Sequence, residues 1–293
     1  MTSFHWRYLK HNPLILYLHL YYLLLFILLS PGIIKWAIAL TNTHFIQAPA
    51  ELVELLAWLP RDTFGVFKKI VALSSVSSLL ACSFFPRSRG ARIAVSVSLL
   101  FWVGLESSYG KIIHGYQGWL FSSVALIFLP KLSNYDSAQN KNQWLQQAFF
   151  VAQLCAILGY GTAGLWKVWH GFLITQKFGL STYLQSLGNT IAFEHGFHGY
   201  QPTFLVNFLL DHDGVSAFIF LLLILLQFFS PILVFFKKSH LLLGFAFVFF
   251  HLGSEIILKI PFRPQLVLVV LLFIVPELWE RGQSFGNEPC KKE

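Results

Sequence analysis

Lys167, in the stretch YGTAGLWKVWHGF (160–172), sits near the end of a long apolar run, a position where a lysine has two uses. It can snorkel, laying its stem along apolar surface and its ammonium among headgroups beside Trp166 and Trp169. It can also act as a base, because apolar burial disfavours a charged amine and a neutral amine accepts a proton. His114 and His251 supply imidazoles that could relay that proton or stabilise an oxyanion. His114 opens one apolar stretch, and His251 lies roughly 10 Å inside the end of another by helix rise. Glu255 follows His251 by four residues and shares its helix face. The segment FEHGFHGY (193–200) adds Glu194, His195 and His198, and these with Glu255 are the candidate substrate-binding residues. Asp211, His212 and Asp213 directly precede an apolar stretch and read as a polar stop and helix cap.

Other chemistries lack a pattern. His195 and His198 are three residues apart, but no HExxH motif is present, and Gly196 and Gly199 predict a loop there, so no metal is expected. The three cysteines, Cys82, Cys155 and Cys290, form no CxxC and no disulfide framework. No phosphate-binding glycine loop and no GxSxG nucleophile elbow occurs. No internal inverted repeat points to a transporter.

The elements that must position these residues follow from composition. A chain that is 56% hydrophobic and 12% charged, with mean hydropathy +0.62, exceeds what a water-soluble domain of 293 residues reaches. The net charge of +8 is dispersed in short clusters between apolar spans, which suits orientation in an anionic membrane and not nucleic-acid binding. A hydrocarbon core about 30 Å thick needs roughly 20 apolar residues. About eight stretches meet or approach that, at 13–39, 64–84, 92–110, 112–130, 145–168, 214–236, 240–258 and 264–280. The fold class expected is all-α, a polytopic membrane helix bundle, with residues 1–282 as one transmembrane domain and 283–293 as a cytoplasmic tail. The first stretch is too long and too aromatic for a cleaved leader, so it is read as a retained helix. The connection 169–213 reads as a partly embedded excursion.

An even number of spans places both termini on one side. Arg7, Lys10, Arg87, Arg89, Arg92, Lys131, Lys141, Lys237, Lys238, Arg281, Lys291 and Lys292 share that side, which predicts cytoplasmic termini, with Lys68 and Lys69 opposing. His44, His114, His170, His195, His198, His212 and His251 then gather towards the outer face.

Three stretches, in order, resemble the vitamin K-dependent gamma-carboxylase superfamily, whose bacterial members are often called horizontally transferred transmembrane (HTTM) domain proteins. SSYGKIIHGYQGWLFSSVALIFLP (107–130) is similar to its histidine-bearing turn and helix. YGTAGLWKVWHGF is similar to its AGxxK stretch, with Ala163, Gly164 and Lys167 in place. SPILVFFKKSHLLLGFAFVFFHLGSEIILKIPF (230–262) is similar to its paired late helices. The resemblance implies Lys167 as the base towards reduced vitamin K or another quinol, His114 and His251 beside the reaction, and an outer-face pocket for a lipid-like molecule. It also implies a bacterial inner-membrane location. Gln227, ahead of Pro231, stands where an acidic residue is usual, and VWHGF replaces the usual leucine-aspartate-tryptophan. About a dozen residues follow the last span, too few for the lumenal domain that holds the carboxylase's peptide, so peptide carboxylation is not expected. Two classes of function stay open: a membrane enzyme, or a non-catalytic binding, immunity or partner protein whose partners are membrane lipids and a lipid-like or peptide ligand.

Overall fold

A computed structural model of the chain describes residues 13–39, 61–107, 114–129, 138–260 and 262–278. Every regular element among the described residues is helical. In order these are α1 (Pro13–Ala39), α2 (Arg61–Phe84), α3 (Arg89–Ser107), α4 (His114–Ile127), α5 (Ala138–Phe178), α6 (Leu180–Leu184), α7 (Ser186–His198), α8 (Phe204–Asp211), α9 (Asp213–Leu233), α10 (His240–Leu258) and α11 (Arg263–Val269). A short 3-10 turn, Lys237–Ser239, precedes α10, and a π turn, Val270–Ile274, continues α11.

Among the described residues, five helical stretches are long and apolar enough to cross a bilayer: Ile15–Ile38, Gly65–Phe84, Gln146–Phe178, Asp213–Leu233 and Lys237–Leu258. The other expected spans fall on α3, which spends Arg89, Arg92 and Glu106 within 19 residues, on α4, which has 14, and on α11 with its π turn. His44 and the tail from 279 onward lie outside the described residues. The all-helical character expected from composition is observed among the described residues, and most of the connection 169–213, expected as an excursion, is itself helical.

The chain divides into two compact units, 1–155 and 156–293. In the first, α1 to α4 and the start of α5 pack around Leu18, Leu25, Trp102 and Trp119. Hydroxyls bridge its helices: Ser78 and Ser98 Oγ lie 2.8 Å apart, and Ser75 Oγ donates to the Ser98 carbonyl at 3.2 Å. Buried Arg92 donates to the carbonyls of Pro86 at 2.6 Å and Leu129 at 2.9 Å, and so satisfies backbone acceptors beyond the ends of both α2 and α4.

The second unit holds the end of α5 and α6 to α11. Leu187, Ile191, Val206 and Leu209 form a small core that seats α7 and α8. Ser216 Oγ donates to the Leu209 carbonyl at 2.5 Å, which ties the end of α8 to the first turns of α9. Gly244 of α10 meets the π turn closely, since a Cβ there would lie 2.7 Å from Ile274 Cγ1.

Candidate functional site

The second unit is organised by glycines on one face of α5. A Cβ at Gly164 would lie 2.5 Å from the backbone nitrogen of Phe228, so only hydrogen allows α9 to approach this closely. Gly161 receives the ring of Pro231 in the same way. Pro231 cannot donate to the Gln227 carbonyl one turn earlier. Ser230 Oγ takes that freed acceptor at 2.8 Å, so the irregularity is satisfied within α9.

Gln227, 3% exposed, is thereby fixed opposite Lys167, whose Nζ donates to Gln227 Oε1 at 2.6 Å. The expectation that Lys167 ends its helix is corrected: α5 continues to Phe178. The polar cluster Trp169-His170-Gly171 looks like a span end, yet apolar residues resume at Phe172, and Gly171 is filled by the ring of Tyr183. Lys167 is partly buried and turns to its neighbour helix, whereas Trp166 and Trp169 are 65% and 55% exposed on the other side. The Tyr183 hydroxyl donates to the Lys167 carbonyl at 2.8 Å, and burial pushes that phenol up from its ordinary value, so the donor stays protonated.

A second polar pair lies two turns away on the same face of α5, roughly 10 Å by helix rise. The Tyr160 hydroxyl and His251 Nε2 are 2.6 Å apart. His251 is 3% exposed, and its Nδ1 has no hydrogen-bond partner among the described residues. Its ring packs at a tilt against Phe250 and Phe262, with centroids at 5.0 and 5.4 Å, and Phe247 packs at a tilt against Tyr160 at 4.1 Å. Lys167 and His251 therefore belong to one seam along α5, each held by a different partner.

The remaining predicted residues are placed differently. His114 opens α4, as expected, in the first unit, and its side chain lies outside the described residues. Glu255 accepts from Arg263 Nη2 at 2.7 Å and Nε at 3.0 Å, with the guanidinium at the surface. The loop expected around Glu194, His195 and His198 is a helix, α7, ended by Gly199 in the left-handed conformation at φ 65°. A Cβ at Gly196 would meet open space, so close packing does not require a glycine at that position of α7. His195 Nε2 donates to the Ile257 carbonyl at 2.8 Å and closes the C-terminus of α10, while His198 faces outward to Glu194 at 3.4 Å. The two imidazoles thus serve different partners, and no group of three His, Cys, Asp or Glu suited to a metal occurs among the described residues.

The cap expected from Asp211 to Asp213 is also corrected. His212 occupies the position before α9, with no side-chain cap bond, and its Nδ1 instead donates to the Phe208 carbonyl at 2.8 Å. Asp213 stands in the first turn, where its charge complements the helix dipole.

Tyr160, Tyr183 and the pairing role of Gln227 are not evident from the sequence. The signal available is weak: Tyr160 precedes Lys167 by seven residues, two helical turns, within the same short stretch. Searches against family models, curated proteins and solved structures found no match to this chain.

Proposed function

We propose that the chain is an integral membrane protein of about eight spans, with cytoplasmic termini in a bacterial inner membrane and kinship to the gamma-carboxylase superfamily. Its second unit receives a quinol or other weakly acidic lipid-like molecule, and Lys167 is the general base. One observation carries this reading: an amine inside a span-length helix is paired with a neutral amide, Gln227. An amide gives the lysine a hydrogen bond and no counter-charge, so the amine can release its proton and take another. A lysine kept only for anchoring would reach for headgroups. His251 would polarise the anion as it develops, and the family resemblance assigns the same part to His114. No step is assigned to Glu255, Glu194, His195 or His198.

The experiment is consumption of reduced menaquinone under oxygen by the purified protein, wild type beside Lys167→Ala. The expected result is turnover by the wild type and none by a folded variant. Turnover retained by Lys167→Ala would remove the lysine from the mechanism.

A second reading, a non-catalytic binding, immunity or partner protein, is favoured by the backbone contact at Gly164, because Lys167 and Gln227 also cross-link two closely packed helices. Lys167→Arg separates the readings. A guanidinium keeps the charge and the hydrogen bond but does not deprotonate, so a binding role tolerates it and base catalysis does not.

A further inference from the structure

We infer that the buried Nδ1 of His251 is the hydrogen-bonding anchor for an oxygen atom of the bound molecule, and that Tyr160 is the positioning residue that sets its proton. The inference rests on the reading that this unit receives a quinol-class ligand, and it names the second contact point of that ligand.

The imidazole's two nitrogens have different surroundings. The Tyr160 hydroxyl lies 2.6 Å from Nε2, and because a phenol is a ready donor the donation is assigned to it. A neutral imidazole that accepts at Nε2 carries its proton on Nδ1. That N–H has no acceptor among the described residues, on a side chain 3% exposed. A buried donor left unmade is costly and rare in native proteins, more so where the surroundings are hydrocarbon. The surroundings also select the acceptor. Phe250 and Phe262 flank the imidazole, and Phe247 covers Tyr160. They offer flat apolar surface and no counter-charge, which suits a carbonyl or hydroxyl oxygen on an apolar ring and not a free carboxylate. Lys167, about two turns along the same face, would meet a second polar atom of the same molecule.

The test uses full-length protein in lipid nanodiscs, with 15N-labelled histidine for NMR and a short-chain menaquinone as probe, its binding read by tryptophan quenching. The wild type is expected to show the proton of His251 on Nδ1. Tyr160→Phe should release that preference and weaken the probe about 5- to 30-fold, the worth of one buried hydrogen bond. His251→Gln, whose amide can keep the bond to Tyr160 but places nothing at Nδ1, should weaken it by a similar factor. A wild-type proton fixed on Nε2, or affinities of both variants equal to wild type, overturns the inference. A purely structural pair would lower the thermal midpoint of Tyr160→Phe and leave affinity unchanged, and that pattern overturns it too. Probe binding with loss of turnover in Lys167→Ala, but no effect of Tyr160→Phe or His251→Gln, sinks this inference alone. Failure of the wild type to bind the probe removes the proposed function together with it.

Discussion

Lys167 illustrates how a single partner sets what a charged side chain can do. Opposite an amide, its amine has a hydrogen bond at 2.6 Å and no fixed negative charge. Gln227→Glu changes only that, replacing the amide with a carboxylate of the same length. The carboxylate supplies the counter-charge that keeps the amine protonated. If Lys167 is a base, Gln227→Glu is expected to lower quinol consumption at least about tenfold, a barrier increase of roughly 1.4 kcal/mol, while the thermal midpoint is held or raised. Wild-type turnover in this variant would show that the proton on Lys167 is not part of the rate.

At the scale of elements, α5 and α9 meet along glycine and proline, and their contact is decided by backbone. Gly164→Ala would put a methyl 2.5 Å from the Phe228 nitrogen. A side chain could swing aside there, but a helix backbone cannot without moving α9. The variant is expected to lose about 1–3 kcal/mol of stability, as overpacked sites do, and with it the register that sets Gln227 opposite Lys167. Gly188→Ala, at a glycine of α7 with open space around it, should hold or slightly raise the midpoint in the same thermal assay. An equal loss at both positions would refute close packing as the reason for Gly164. The pairing of α9 with α5 also explains why Pro231 is tolerated within a span, because its ring fills Gly161 and Ser230 satisfies the carbonyl it frees.

At the scale of the whole molecule, the large apolar side chains left exposed are those a bilayer would cover. Leu73, Phe128, Leu242 and Phe249 are exposed at 69%, 72%, 71% and 69%. The proposed orientation places α7 on the outer face and both termini inside. Gly188→Cys is therefore expected to react with a membrane-impermeant maleimide applied to intact cells, and a cysteine appended at the N-terminus only after the cells are opened, both measured in a background lacking the native cysteines. Labelling of the reverse pattern would invert the topology.

Much of this protein is legible in the order of its residues. Hydropathy places α1 at 13–39 and α10 at 240–258, the bounds observed, because a helix surrounded by apolar material needs only length and low charge to declare itself. The same reasoning stops α5 short of Phe178 and makes α7 a loop, since glycine and histidine look like breaks until their packing partners are known. Lys167 and His251 can be singled out because ionisable groups are expensive inside a span. Their partners cannot, for Gln227 is 60 residues from Lys167 and Tyr160 is 91 from His251. Side-chain type and helical period are local properties, written in the sequence itself. Which amide faces an amine and which imidazole nitrogen is left without a partner depend on how helices far apart in the chain close upon one another, and only the tertiary structure decides that.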